Sequence, residues 1–289
     1  MISKRLSLSL VVAALALPAF AQHALKQERG ESNLTPIGTL ARSHGPRKVA
    51  PGTPAPFYDA LRNVTVSYNT IWAGYAVTGA DFTSVQGSWI VSAVDCTKTP
   101  NTDSSEWVGI DGWTSNTVEQ TGTDADCIGK TPYYYVWYEF YPLNTVVINS
   151  VSIAPGDKFS ASVTYDGNKE YTVTITNDTT GQYFTKKVDF DGADGSGAPP
   201  RNSAEWIMEM DGNELSDFGV DSFGEYYTGV SGGTDQATDS TVSGPITDFG
   251  SAVQESITTK NGSKGSKVTA QPSGLASDGA SFTVTWKAE

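Results

Sequence analysis

The sequence predicts an all-β fold, an antiparallel sandwich in a single domain, and three observations predict it. From Val64 onward, short runs rich in Val, Thr, Ile, Tyr and Trp alternate with turns of Gly, Asn, Asp and Ser. The first group favours pleated, half-buried backbone and the second favours tight turns. The runs recur roughly every 8 to 12 residues, the spacing of sandwich strands, and no ten-residue stretch carries a helical repeat. At 289 residues the chain has room for one large β domain or two smaller ones, and no linker comes after Asn63.

Met1 to Ala21 reads as a secretory signal. Lys4 and Arg5 form its positive end and Leu6 to Leu17 its apolar core, and Ala19-Phe20-Ala21 is an A-x-A-like cleavage site. The apolar run is too short to span a bilayer comfortably. The chain is therefore expected to be secreted, extracellular or periplasmic, with no membrane association once the signal is removed.

Residues 22–62 differ in charge from the remainder of the chain. They carry six Lys and Arg against three acidic residues, a net of +3, and hold His23 and His44, the only two histidines. Pro46, Pro51, Pro54 and Pro56 argue against regular structure at the end of this segment. From Asn63 on there are 11 Lys and Arg against 29 Asp and Glu, a net of −18. A basic leader before an acidic domain is expected to be a prosegment held by charge attraction and released as carboxylates protonate, or else a solvated linker. The acidic domain argues against nucleic acid as a partner and suits work at low pH, where self-repulsion falls.

In the domain, Ser88 to Val91, Val146 to Ile153, Phe159 to Tyr165, Tyr171 to Thr176, Tyr183 to Phe190 and Ser281 to Trp286 read as strands. Asp166-Gly167-Asn168 and Asn177 to Gly181 read as hairpin turns. Gly192 to Pro200 and Gly229 to Gly244 are long loops of the kind found at functional rims. Cys96 and Cys127 are expected to form one disulfide worth about 3 kcal/mol, or to remain two free thiols. They are too few for a four-thiolate metal site. Without residues 22–62 the domain holds no histidine, which excludes Ser-His-Asp and Cys-His catalysis and histidine-built zinc sites.

The stretch Trp107 to Gly122, WVGIDGWTSNTVEQTG, opens as a strand, breaks at Asp111-Gly112 and resumes at Thr117. On the resumed strand Val118 and Gln120 share one face and Glu119 takes the other. Tyr133 to Pro142 (YYYVWYEFYP) and Ser203 to Met210 (SAEWIMEM) are aromatic-rich strands that each set carboxylates among apolar neighbours.

Four blocks in this order carry a likeness: WAGY at Trp72 to Tyr75, WVGIDG with QTG after it, WYEFYP, and AEWIMEM. From about Asn69 to the C-terminus the chain resembles the glutamic peptidases, also called eqolisins. The resemblance implies a lectin-like sandwich of two large antiparallel sheets, and an acid-acting endopeptidase of proteins or peptides that works without metal or cofactor; the chain is expected to be a monomer. It implies that Glu209 is general base and then general acid, and that Gln120 donates to the oxyanion and orients the water. A neutral amide can do so at any pH. Glu205 and Glu209 share a strand face, so spacing does not choose between them; the likeness assigns Glu209 and makes Glu205 supporting. Trp107, Asp111 and Glu139 are expected to line the cleft, with Trp72 and Tyr141 as walls; Asp111 and Glu139 could hold the glutamine or raise the pKa of the base. Tyr135 stands where several relatives carry an acidic residue.

Two rival readings use the same residues. A glycoside hydrolase would pair two carboxylates such as Glu139 and Glu209, leaving Gln120 without a role. A carbohydrate-binding module would tolerate loss of Glu209. A pepsin-like site is disfavoured because there is no D-[TS]-G pair.

Overall fold

The computed structural model describes residues 34–35, 42–192, 197–212, 214–258 and 267–288. The stretch expected to be a signal sequence and the leader as far as residue 41, apart from strand Leu34–Thr35, lie outside these residues, as does the middle of the Gly192–Pro200 loop. Strand alternation places six strands side by side in a front sheet. In order they are Thr131–Tyr141, Val118–Ile128, Asp103–Ile110, Ser203–Glu209, Trp72–Thr78 and Val253–Thr258, each antiparallel to the next. A back sheet runs Gln182–Asp189, Glu170–Asn177, Lys158–Gly167, Ser84–Ile90, Val220–Phe223 and Phe282–Trp286, again antiparallel. The short strand Val268–Pro272 pairs with the last strand of both, so the sandwich is hydrogen-bonded along one edge and nearly closed.

Register decides which side chains enter the core. Tyr75, Trp206, Val108, Thr121 and Tyr138 stand opposite one another in one row across the front sheet, and their side of the sheet meets the back sheet. Tyr75 packs on Phe282 at 4.8 Å and Tyr138 on Phe184 at 5.8 Å, while the Trp206 indole donates to the Gln86 carbonyl oxygen at 2.7 Å. Moving one residue along each strand turns the side chain to the other face. That neighbouring row is Gly74, Ile207, Trp107, Gly122 and Trp137, and it forms the floor of the outer cleft.

Three details differ from the sequence expectation. The strand expected from Val146 to Ile153 covers only Val146–Ile148. Beyond it the chain is held by the Asn177 side-chain amide, which donates to the Ser152 carbonyl oxygen at 2.9 Å. After Pro56, the last proline of the leader, Phe57–Asp59 forms a strand paired with Val64–Val66. Val253–Ile257 pairs with Thr65–Asn69 in parallel, whereas the other pairings among the described strands are antiparallel. Asp111 and Gly112 adopt left-handed φ values of 75° and 103° and open a connection that rejoins the sheet at Val118, one residue from the expected resumption at Thr117. Among the described residues, helical backbone is confined to the turns Glu225–Thr228 and Ile246–Asp248. Cys96 and Cys127 are joined in a disulfide, which ties the connection after Ile90 to the far end of the Gln120 strand.

Candidate active site

Two rows of the front sheet supply the polar side chains of the cleft. Ala76, Glu205, Gly109, Gln120 and Glu139 stand opposite one another in one. Trp72, Glu209, Ser105, Asp124 and Tyr135 form the other. The Trp107 row runs between them. Gly122 lies between Trp107 and Trp137 in that row, and a Cβ there would meet the Trp107 Cβ at 2.6 Å. The missing side chain leaves space between the two indoles. Trp72 meets Trp107 edge to face at 5.0 Å, a favourable quadrupolar arrangement.

The leader crosses this cleft. The backbone and side chains of Arg42 to Arg47 run from the Asp124 strand at one side to Glu255 at the other. Arg42 Nε bonds Asp126 Oδ1 at 3.1 Å and its guanidinium stands 3.6 Å from Asp103, while its main-chain nitrogen donates to the Tyr135 hydroxyl at 3.3 Å. Ser43 Oγ donates to Glu139 at 2.9 Å and the His44 nitrogen donates to the same carboxylate at 2.7 Å. The Tyr141 ring comes within 3.4 Å of where a Cβ on Gly45 would stand. Arg47 donates from its main-chain nitrogen to the Gly112 carbonyl at 3.1 Å and from Nε to Glu255 at 3.1 Å, with its guanidinium 4.2 Å over the Trp113 ring.

Gln120 and Glu209, both fully buried, meet at His44. Gln120 Nε2 donates to the His44 carbonyl oxygen at 2.5 Å and to Glu139 at 3.3 Å, so Glu139 fixes the direction in which the amide points. Glu209 Oε2 accepts the Trp107 indole N–H at 2.8 Å and lies 3.9 Å from His44 Nδ1. Gln120 Oε1 and Glu209 Oε1 have no hydrogen-bond partner among the described residues, which leaves an acceptor on each side of the pair. The His44 imidazole lies flat on Trp137, 3.7 Å between centroids and 4° between planes. Its Nδ1 is 3.0 Å from Asp211 and its Nε2 3.3 Å from Asp124.

The electrostatics are set by burial. Desolvation pushes the Glu209 carboxyl well above the usual carboxylate range, Asp211 adds to it, and His44 opposes it. Burial lifts Glu139 to about 7, against the pull of His44. Burial would lower the His44 pKa, but Asp211 and Asp124 outweigh it and push the imidazole well above its ordinary value, which favours a charged ring between the two acidic side chains. His44, Asp124 and Asp211 are also the one set among the described residues whose donor atoms lie close enough for a metal ion, within 4.8 Å of one another. The two carboxylates, however, contact opposite nitrogens of the ring, an arrangement that suits a cation between two anions better than three ligands converging on one point.

Of the side chains expected at the site, Gln120, Glu139, Trp107, Glu209 and Tyr141 gather around the leader. Asp111 does not hold the glutamine: its oxygens accept from the Arg201 and Asn202 main-chain nitrogens, both at 2.8 Å. Glu205 is fully buried, and burial raises its pKa strongly. The register places it in the Gln120 row, but it does not contact His44 as Glu209 does. Sequence reasoning misses Asp124, Asp211, Trp137 and His44 as site residues. Asp124 is four residues from Gln120 on the same strand, so alternation alone puts it on the cleft face, whereas Asp211 lies two residues past the end of the Ser203–Glu209 strand, where alternation assigns no face.

The sequence profile described as the peptidase A4 family matches residues 70–271. Aspergillopepsin-2 of Aspergillus niger is 30% identical over 199 residues, spanning 61% of this chain and 70% of that protein. Scytalidopepsin B of Scytalidium lignicola is 32% identical over 149 residues, spanning 51% of this chain and 54% of that protein. The same sandwich is seen in scytalido-glutamic peptidase crystallised with a transition-state analogue inhibitor, with a TM-score of 0.60 at 22% identity over 75% of this chain and 98% of that one. A member of the eqolisin family in complex with the tripeptide Ala-Ile-His aligns with a TM-score of 0.57 at 24% identity over the same shares.

Proposed function

The chain belongs to the peptidase A4 family, the glutamic peptidases, and from that premise we propose that it is a secreted, acid-acting endopeptidase in which Gln120 and Glu209 are the catalytic pair. The observation that carries this is the 2.5 Å hydrogen bond from Gln120 Nε2 to the His44 carbonyl, with Glu209 Oε2 against the same residue. A peptide carbonyl lies where an amide donor can stabilise the charge that develops on its oxygen.

In this reading a substrate carbonyl takes the place of the His44 carbonyl. Glu209 removes a proton from water, the water oxygen attacks the carbonyl carbon, and Gln120 donates to the oxyanion. Glu209 then passes its proton to the leaving nitrogen, and the peptide bond breaks. Glu139 aims the amide and Trp107 orients the carboxylate. Trp72 supports Trp107, and Tyr141 closes over the chain beyond the scissile bond. No step needs a metal or cofactor, so activity is expected to survive chelation. The relatives and fold neighbours that bind peptides or peptide-like inhibitors support protein or peptide substrates. Secretion is supported by the signal-like N-terminus and the disulfide.

The basic leader is assigned the role of a removable prosegment, because Arg42 to Arg47 fill the cleft that substrate would need. The rival sugar-cleaving reading gains nothing here, since Glu139 is committed to the His44 nitrogen and to Gln120.

The test is digestion of an unfolded protein at acid pH by wild type, Glu209→Gln and Glu205→Gln. Loss in Glu209→Gln with activity retained in Glu205→Gln supports the assignment. The reverse pattern transfers the role to Glu205, which shares the Gln120 row.

A further inference from the structure

We propose that His44–Gly45 is the bond this enzyme cuts in its own chain, with the Trp137–Asp124–Asp211 pocket selecting the histidine on the acyl side of that bond. The inference rests on the peptidase reading above and names the mature N-terminus and one substrate preference.

Three observations carry it. First, within Arg42 to Arg47 it is the His44 carbonyl that accepts from Gln120. The Arg42 carbonyl is bonded to Thr145 instead. Second, the segment is anchored on both sides of this bond. His44 N and Ser43 Oγ bind Glu139 on the acyl side, and Arg47 binds Gly112, Glu255 and Trp113 on the leaving side. A bond held at both ends over the reacting groups is a positioned substrate. Third, the side chain next to this bond enters a built site. The imidazole is fully buried, stacked on an indole at 3.7 Å, with a carboxylate at each nitrogen. An apolar side chain in that position would strip two buried carboxylates of their cation. The leaving residue is glycine, so its nitrogen departs as a primary amine. Water supplies all the atoms required: its oxygen joins the His44 carbonyl carbon, the bond to the Gly45 nitrogen breaks, and that nitrogen gains the proton.

The experiment acidifies the purified full-length chain to about pH 4, near the ordinary carboxylate range, and reads termini by intact mass and N-terminal sequencing. The same samples are assayed on an added unfolded protein. Wild type is expected to yield a chain beginning at Gly45, Glu209→Gln to stay uncut, and His44→Leu to give no Gly45 terminus. On paired peptides with His or Leu before the scissile bond, the kcat/KM preference for His is expected to fall roughly tenfold or more in Asp124→Asn, with Asp211→Asn as a second variant should the first misfold. Digestion of the added protein with a mature terminus elsewhere would overturn the proposal and leave the peptidase reading standing. A Gly45 terminus in Glu209→Gln would overturn self-cleavage. Failure of wild type to cut either itself or the added protein would overturn both.

Discussion

The Trp107 indole nitrogen donates to Glu209 Oε2 at 2.8 Å, across one strand pairing of the front sheet. Trp107 can take this position because Gly122 beside it has no side chain. The bond favours the ionised carboxylate, offsetting part of the upward push from burial and Asp211.

Replacing Trp107 by Phe therefore raises the pKa of Glu209. A base must be ionised to act, so the ascending acid limb of kcat/KM is expected to move to higher pH, with kcat about tenfold lower for the lost charge-assisted bond. An unchanged acid limb in the pH–rate profile would show that the indole does not act on the base.

Stability is expected to fall as pH rises from acid to neutral. Burial holds Asp103 and Asp111 at about 6, and Glu106, Asp126, Glu139 and Glu255 at about 7. Unfolded, these groups titrate near 4. Between roughly pH 4 and 7 the folded state then binds more protons than the unfolded one, so the free energy of unfolding drops as pH increases. Calorimetry of the full chain is expected to give a higher Tm near pH 4 than near pH 7, and the opposite order would contradict the burial argument.

Removing the Cys96–Cys127 bridge, with both cysteines changed to Ala, is expected to cost about 2–4 kcal/mol at equilibrium, because the unfolded chain regains the freedom of the closed loop. Denaturant titration of the double variant against the oxidised wild type measures it. A fully buried Asp124 lies three residues from Cys127 on the same strand, so cleft activity is expected to weaken with it.

Much of this was legible in the chain. Alternating runs located most strands of the two sheets, and Val118, Gln120 and Glu119 fell on the faces that alternation gives them. The same rule reaches Asp124, and it brings Glu205 and Glu209 to one face without choosing between them; Asp211 lies past the end of that strand, where the rule no longer applies. The rest depends on chain segments that carry no period. The leader from Arg42 to Arg47 forms no strand, so nothing in its spacing shows that His44 lies between Asp124 and Asp211. The parallel pairing of Val253–Ile257 with Thr65–Asn69 joins segments far apart in sequence. Interior carboxylates such as Glu106, which accepts from Thr123 and from the Ser92 nitrogen, read in the sequence as ordinary surface acids.

Turnover of one peptide at acid pH by the processed enzyme reads the contribution of Gln120 and Glu209 to the chemical step. Gln120→Ala is expected to lower kcat by about 10²–10³, the cost of one oxyanion donor, and Glu209→Gln by about 10²–10⁴, with the wild-type fold kept in both variants. Wild-type kcat in folded Gln120→Ala or folded Glu209→Gln would contradict the assignment of the pair.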